Sequence, residues 1–181
     1  MSIDVKSTTK LTYEDYCLIP DDGRRHEIID GVHYVNAAPS TYHQHVSKRL
    51  QYQLYTKIEL AGHGVMYGAP VDVHLTNHDV VQPDLVVILN AKKFIVTPTK
   101  VKGVPDLLVE ILSPSSIDHD RKRKRNLYES CGIPEYWIVD PFDHKLEQLV
   151  LRDGRYRPEP EADPVCPTFI TGIAIPLSEV W

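Results

Sequence analysis

The chain has 181 residues, of which 42% are hydrophobic and 25% are charged. These proportions are typical of a soluble globular domain and exclude a disordered, collagen-like or coiled-coil chain. The 20 basic and 25 acidic residues give a net charge of −5, which argues against coating nucleic acid through bulk positive charge but leaves room for a local basic groove. We expect one domain over residues 1–181, since domains commonly run about 100 to 200 residues.

Three features favour a cytoplasmic protein without membrane contact. Cys17, Cys131 and Cys166 are far apart and form no CxxC pair, which predicts a reducing compartment and neither a disulfide framework nor structural zinc. The N-terminal stretch has no apolar signal region. The longest aliphatic run, Leu85 to Leu89, is far shorter than the roughly 20 residues of a membrane helix.

The first predicted elements are a short helix, a hairpin and a long helix. Thr12 can cap a helix with the sequence TYEDYCLI, which Pro20 ends. RHEIIDG and VHYVN are predicted strands, and the Asp30-Gly31 pair between them is a strong hairpin signal. Apolar residues at helical spacing predict a helix from Ser40 to Ala61, which Gly62 ends.

Strands dominate the rest of the chain. Three predicted strands are MYGAPVDVHL at 66–75, VVQPDLVVIL at 80–89 and GVPDLLVEILS at 103–113. The later predicted elements are a charged helix from Ile117 to Cys131, strands PEYWIVDP and KLEQLVL, a surface stretch from Arg152 to Thr171, and a short terminal piece IPLSEVW. Strands interleaved with two sizeable helices predict a mixed α/β or α+β architecture around one sheet.

Glu110 interrupts an otherwise aliphatic strand. Strand alternation places Glu110 on the same face as Leu108 and Leu112. An ionised carboxylate there is costly unless a cation or a donor meets it. Two interpretations are open: a structural glutamate paired with an arginine, or a carboxylate of a functional site.

Asp84 begins a strongly apolar strand, directly after Pro83, which donates no backbone hydrogen bond. Alone, Asp84 would be interpreted as a turn or cap residue. Together with Glu110 on a neighbouring central strand, it predicts two carboxylates converging on one side of the sheet. Such oxygen ligands suit a hard cation, Mg²⁺ or Mn²⁺.

The helix from Ile117 to Cys131 carries Asp120, Lys124 and Tyr128 on or beside its packed side. One interpretation is a surface Asp–Lys pair, worth a few tenths of a kcal/mol. In the other, Lys124 reaches the two carboxylates, where its charge would orient an attacking water or stabilise developing negative charge. Basic residues around Lys124 would then hold a phosphate backbone.

Other familiar motifs are absent from the sequence. There is no HExxH, GxSxG, P-loop or GxGxxG, and the histidines lack metal-ligand spacing. His43 lies at a helix start, where exposure to solvent is the first expectation and a place in the site wall the second. Ser113 follows Glu110 closely enough to form a hydrogen bond in the same site.

The ordered set of segments resembles the PD-(D/E)XK nuclease superfamily and, more closely, the Uma-type restriction endonuclease family, formerly a domain of unknown function. The resemblance covers about residues 10 to 160. Its matching segments are HEIIDG at 26–31, PSTYHQHV at 39–46, YGAPVDVHL at 67–75, VVQPDLVVI at 80–88, VPDLLVEILSPSS at 104–116 and DRKRKRNLYESCGIPEYWIVDP at 120–141.

The resemblance implies a restriction-endonuclease-like fold, with a mixed central sheet flanked by helices and extra N-terminal hairpin strands. It also implies that Asp84 and Glu110 are acidic metal ligands, with the carbonyl of Ile111 as a further ligand and Glu27 as an acid approaching the same centre. Gln82 would line this centre, and Asp120 and Tyr128 match family positions of less defined role.

The superfamily usually carries a lysine two residues after the glutamate, where this chain has Leu112. The resemblance implies that the lysine has migrated to the following helix, at Lys124. The expected function is therefore a Mg²⁺-dependent endonuclease acting on nucleic acid, DNA foremost, as a homodimer. Asp84 and Glu110 would hold the metal, and Lys124 would position the water or stabilise the transition state.

Two other functions stay open from the sequence. A non-catalytic nucleic-acid-binding or scaffold module is favoured by the net charge of −5 and by the missing in-strand lysine. A metal-dependent hydrolase of small phosphoesters is the other. Metal titration would separate the scaffold from the enzyme, and a small chromogenic phosphodiester would identify the third function.

Overall fold

The computed structural model describes residues 10–113 and 119–181, which form a mixed α/β architecture with two sheets. The strands are β1 Arg25–Ile29, β2 Val32–Asn36, β3 Gly64–Gly68, β4 Val73–Thr76, β5 Asp79–Val81, β6 Leu85–Leu89, β7 Val101–Lys102, β8 Leu107–Ile111, β9 Glu135–Asp140, β10 Lys145–Arg152 and β11 Arg155–Pro158. The α-helices are α1 Tyr13–Tyr16, α2 Thr41–Leu54 and α3 Arg125–Ser130. Short 3-10 helices are Asn90–Ile95 and Leu177–Glu179, and π-helical segments are Tyr55–Glu59 and His119–Lys124.

The smaller sheet has the strand order β2-β1-β5-β4-β7 and begins with the predicted hairpin. Asp30 and Gly31 have φ of 52° and 73°, as the mirror-image two-residue hairpin turn requires. Because this turn twists with the strands, β1 and β2 pair in register from Ile29↔Val32 to Arg25↔Asn36. The N-terminal hairpin of the expected fold is confirmed.

The larger sheet has the strand order β11-β10-β9-β8-β6-β3. Its centre combines antiparallel pairing of β6 with β8 and parallel pairing of β8 with β9. One face packs against α2, where Val46, Leu50 and Leu54 meet the sheet in a single apolar cluster. The other face carries Leu108 and Leu112 in a second cluster with Tyr128 of α3. The predicted class, a mixed central sheet flanked by helices, is confirmed.

The predicted long helix begins as expected. Ser40 caps α2 by accepting a hydrogen bond from the backbone N–H of His43, and the π-helical segment Tyr55–Glu59 continues α2. No helix within the described ranges is long and apolar enough to cross a membrane.

Two predicted strands were wrong as single strands. The 66–75 stretch divides into β3 of the larger sheet and β4 of the smaller one. The 80–89 stretch divides in the same way into β5 and β6. The physical reason is Pro70 in the first stretch and Pro83 in the second, since proline cannot donate to a ladder. The chain therefore crosses from one sheet to the other through Gln82, Pro83 and Asp84.

Two further predictions need correction. The described part of the second helix starts as a π-helical segment at His119 and becomes α-helical only at Arg125, while residues 114–118 lie outside the described ranges. The stretch from Arg152 to Thr171 is not all surface, because it contains β11 and the buried Val165. Tyr156 of β11 alternates with exposed arginines and is buried in the second cluster.

Candidate active site

The candidate site lies where the two sheets meet. The register Leu85↔Val109 between β6 and β8, extended by one residue, places Asp84 beside Glu110. Residues opposite each other in an antiparallel pair lie on the same face, so the two carboxylates share one side of the sheet. The convergence expected from the sequence is thus a direct result of strand register.

Asp84 is 5% exposed and is held by groups from three elements. Its Oδ1 accepts a hydrogen bond from Arg25 Nη1 at 3.2 Å, and its Oδ2 accepts from His43 Nε2 at 3.1 Å and from the backbone N–H of Ile111 at 2.9 Å. Burial by itself would raise the pKa of Asp84, but His43, Arg25 and the Ile111 N–H together hold that pKa below its ordinary value. The carboxylate is therefore charged at neutral pH.

Glu110 is 3% exposed and meets a cation from the second helical region. Its Oε1 accepts from Lys124 Nζ at 2.9 Å and from the Tyr128 hydroxyl at 2.7 Å. Burial raises the pKa of Glu110 well above its ordinary value, and the ammonium of Lys124 acts in the opposite direction. Asp120, Asp84 and Glu27 add negative charge nearby and raise the pKa further.

Lys124 is at the centre of a buried acidic cluster. Its Nζ lies 2.9 Å from Oε1 of both Glu27 and Glu110, and 3.9 Å from Asp120 Oδ1. Burial lowers the pKa of Lys124, but Glu110, Glu27 and Asp120 outweigh burial and leave the pKa above its ordinary value. Since Lys124 is only 2% exposed, the interpretation of Asp120 and Lys124 as a surface pair is wrong.

Glu27 supports the cluster from the smaller sheet. Its Oε1 accepts from the backbone N–H of Gln82 at 2.6 Å, and its Oε2 accepts from Asn36 Nδ2 at 2.8 Å. The side chain of Gln82 points elsewhere and donates to Asp72 at 2.8 Å and to the Tyr16 hydroxyl at 3.3 Å. Gln82 therefore contacts the cluster through its backbone.

A cavity of about 290 Å³ opens over these groups. The predicted residues that line it are Asp84, Glu110, Ile111, Lys124, His43, Ser113 and Asp120. Glu27 and Tyr128 contact the charged cluster without lining the cavity. His43 is 5% exposed, so its expected exposure at the helix start is wrong and its alternative place in the site wall is observed.

Sequence reasoning missed Arg25 and Asn36, which also line the cavity. Arg25 lies two residues before Glu27 on β1, and Asn36 pairs with Arg25 across the hairpin. Because alternate residues of a strand share a face, this period of two was the available signal. Tyr34 lines the same wall, and Arg123 lies over its ring at 5.0 Å.

Two buried nitrogen atoms in the cavity wall have no hydrogen-bond partner within residues 10–113 and 119–181. They are Nε of Arg25 and Nδ1 of His43. Buried polar atoms are nearly always paired in folded proteins. Within the described residues, both nitrogens therefore lack the hydrogen bond that a buried nitrogen normally has.

The oxygen donors of the site fit a divalent cation whose remaining coordination positions are filled by water and substrate. Among the described residues, no group of three or more His, Cys, Asp and Glu side chains could hold a metal ion by itself. Mg²⁺ commonly takes only one or two protein carboxylates and fills its other positions with water and substrate phosphate. Oε1 of Glu110 accepts from Lys124 and from Tyr128. Among the described residues these hydrogen bonds leave Oε2 of Glu110 as the oxygen that can bind a ligand. Asp84 and Glu110 therefore fit Mg²⁺ or Mn²⁺ in this way.

The mixed sheet, the acid pair on adjacent strands and the lysine from the following helical segment define a restriction-endonuclease-like protein. The chain belongs to the Uma2 family, described as "Putative restriction endonuclease", whose family model matches residues 12–176. The resemblance inferred from the motifs is thus confirmed.

A solved structure of similar fold is "a putative nuclease belonging to DUF820" from Anabaena variabilis ATCC 29413. It superposes with a TM-score of 0.77 at 15% identity, over 94% of this chain and 97% of the other. At this identity the likeness shows the fold alone. None of the curated proteins compared with the chain gives a significant match.

Proposed function

We propose that the protein is a Mg²⁺-dependent endonuclease that hydrolyses phosphodiester bonds in DNA. The observation that carries the proposal is the meeting of Asp84, Glu110 and Lys124 at one cavity. Membership of a nuclease family supports the reaction class. DNA as the substrate and Mg²⁺ or Mn²⁺ as the cofactor are the finer parts of the proposal.

Asp84 and Glu110 would hold the metal, with the backbone carbonyl of Ile111 as a third ligand. A bound divalent cation would polarise the scissile phosphate and lower the pKa of a water nucleophile. Asp84 is suited to this role because it is charged at neutral pH. Arg25 and His43 fix the orientation of its carboxylate.

Lys124 would donate to the attacking water or to a phosphate oxygen. An ammonium has three N–H donors, and Lys124 directs two of them at Glu27 and Glu110. Lys124 also lines the cavity, so its ammonium would lie close to a phosphate or water bound there. A fixed ammonium in a low-dielectric site stabilises negative charge that develops in the transition state.

The test is cleavage of supercoiled plasmid DNA with Mg²⁺, with Mn²⁺ and with EDTA. We expect nicking that requires the divalent ion and is lost in Asp84→Asn. The matched control is Asp106→Asn, because Asp106 also follows a proline at a strand start, accepts a backbone N–H from Leu89 at 2.7 Å and pairs with Lys92 at 3.0 Å. Equal cleavage by wild type and a folded Asp84→Asn variant would contradict the proposal.

A non-catalytic nucleic-acid-binding module is the second candidate. It is favoured by the charge balance of the site, since Asp84 already contacts Arg25 and His43, and Glu110 already contacts Lys124. Isothermal titration with Mn²⁺ separates the candidates. The enzyme binds Mn²⁺ in a manner that Asp84→Asn abolishes, whereas the module binds DNA with no requirement for the ion.

We further propose a cytoplasmic, single-domain protein that acts as a homodimer. Two copies would bring two cavities to the two strands of a duplex. Sedimentation of the purified protein with and without duplex DNA tests this assembly: a species of twice the monomer mass is expected, and a monomer under both conditions contradicts it.

A further inference from the structure

A row of aromatic rings lies on the α2 side of the larger sheet, next in the chain to residues that line the cavity. We call it the aromatic shelf and define it by its members Tyr42, His45, Phe142, His144 and Trp181. The rings come from α2, from the turn between β9 and β10, and from Trp181. Neither the charged cluster nor the proposed reaction uses them.

The fold brings the shelf to the cavity edge. Strands β8 and β9 are parallel with the register Ile111↔Val139, so the turn after β9 leaves the sheet at the edge where Ile111 lines the cavity. Tyr42 directly precedes His43, whose ring contacts Asp84. Pro39 lines both the cavity and a neighbouring groove of about 540 Å³ that also contains His45.

The rings hold one another in place. Tyr42 stacks on His45 with centroids 6.2 Å apart and meets Phe142 at 6.3 Å. The Tyr42 hydroxyl lies 2.9 Å from Nε2 of His144, and the His144 ring is parallel to the Trp181 ring at 5.2 Å. A shelf assembled in this way loses little conformational freedom when a planar ligand binds.

Exposure and charge indicate the kind of ligand. Phe142 is 61% exposed, although it contacts Tyr42 on one side. Lys48 lines the same groove as His45. Aromatic faces next to basic side chains are the combination that binds single-stranded nucleic acid, in which bases stack and phosphates pair with cations.

We propose that the aromatic shelf stacks an unpaired nucleobase of the strand whose phosphate enters the cavity. The proposal rests on the proposed nuclease function and assigns its substrate class: nucleic acid with a single-stranded stretch next to the cleaved bond. Phe142 offers the exposed stacking face, while Lys48 binds a flanking phosphate.

The experiment measures binding without turnover, by fluorescence anisotropy in EDTA. The ligands are a labelled single-stranded oligonucleotide and a duplex of the same sequence. Because Phe142→Ala removes the exposed stacking face, it should weaken single-strand binding by about tenfold and leave duplex binding nearly unchanged. Phe142→Trp should restore single-strand binding.

Phe94→Ala is the matched control. Phe94 is 82% exposed and lies in the segment that follows β6. Because Asp84 and the cavity are at the start of β6, Phe94 is at the opposite edge of the sheet. A second readout is a 2-aminopurine base in the single strand, because stacking on an aromatic ring quenches the fluorescence of this base. We expect quenching with wild type and with Phe94→Ala, and its loss with Phe142→Ala.

The outcomes are distinguishable from failure of the nuclease proposal. If plasmid cleavage requires Asp84 but Phe142→Ala binds the single strand as wild type does, this inference alone is overturned. If neither DNA form binds and no cleavage occurs, both proposals fail. If Phe142→Ala dissociates a dimer while single-strand binding persists, the shelf is an interface between two copies of the chain, and the inference is also overturned.

Discussion

The central strands of the larger sheet carry the same pair of acidic residue types at both of their ends, which form two opposite edges of the sheet. At the cavity edge, Pro83-Asp84 leads into β6 and Glu110 lies near the end of β8. At the far edge, Pro105-Asp106 leads into β8 and Glu135 opens β9. All four carboxyl groups are buried. What differs is the set of groups that each one contacts.

Glu135 is satisfied by neutral donors. Its Oε1 accepts from Trp137 Nε1 at 2.5 Å and from Gln148 Nε2 at 2.8 Å. Its Oε2 accepts from the backbone N–H and the hydroxyl of Thr168 at 2.8 and 2.6 Å. Glu135 pairs with Leu107 of the neighbouring strand, and both residues are on the α2 face. Its hydrogen bonds join the segment around Thr168 to the sheet. This is a structural carboxylate.

Glu110 instead faces other carboxylates, one buried ammonium and a cavity. The comparison teaches that burial of an acid in a strand does not identify a functional group. The edge of the candidate site is marked by like charges held close together, by buried nitrogens without partners in the described residues, and by an opening to solvent.

The largest expected effect is that of Lys124→Met. It leaves Glu27 and Glu110 buried without their shared cation, a change that commonly costs about 3–5 kcal/mol. We expect this loss in urea unfolding, together with loss of cleavage. A variant as stable as wild type would show that the acidic cluster does not depend on the ammonium and would remove the contrast with Glu135.

Glu110→Gln and Glu135→Gln test the comparison most directly. Glu110→Gln removes a proposed metal ligand, so cleavage should fall by more than about 100-fold, beyond the range for outer partners of a metal site. Glu135→Gln should leave kcat and Mn²⁺ affinity unchanged, because its side chain is on the other face. Plasmid nicking and Mn²⁺ titration measure both, and equal losses in the two variants would contradict the assignment.

The same Glu135→Gln variant should be less stable. An amide accepts through one oxygen only, so at least one buried donor from Trp137, Gln148 or Thr168 loses its partner, at a cost of about 1–3 kcal/mol. Urea unfolding followed by tryptophan fluorescence measures this cost. An unchanged midpoint would mean that the 168 region is held by other contacts.

The smallest effect is a difference in the pH dependence of stability. Asp84 has a lowered pKa in the folded chain, so its contribution is present above its ordinary pKa of 3.8 and is lost as pH falls through the folded value. Glu110 has a raised pKa, so its contribution is present below its ordinary pKa of 4.5 and is lost as pH rises through the folded value.

Stability curves of metal-free Asp84→Asn and Glu110→Gln measure this difference. We expect Asp84→Asn to flatten the acid limb of the wild-type curve and Glu110→Gln to flatten the decline at higher pH. Parallel curves for all three proteins would show that neither carboxyl titrates differently in the folded chain.

Local patterns in the sequence predicted the central acids well. Alternation in the strand put Glu110 on the face opposite Leu107, and the order of motifs identified Lys124. Arg25 and His43 were harder to predict because they reach Asp84 across 59 and 41 residues of chain. Such contacts depend on how two sheets and a helix dock, which periodicity does not report.

The crossings between the sheets were missed for a related reason. An apolar run interrupted by Pro83 has the same hydrophobicity whether its two halves share a sheet or belong to different ones. Only the pairing partners decide, and those lie far along the chain: Val80 pairs with Ile28, and Leu85 pairs with Val109.

The three-residue crossing at Gln82, Pro83 and Asp84 has a consequence for when the protein can work. Pairing within the larger sheet is enough to place Asp84 beside Glu110. The smaller sheet contributes Arg25, Glu27 and Asn36. A chain in which the hairpin has separated keeps both acids but loses Arg25, one of the three groups that hold Asp84, and Glu27, one of the two carboxylates 2.9 Å from Lys124. Under the proposed nuclease function, cleavage would therefore require both sheets to be assembled, and a half-folded copy would not cut nucleic acid.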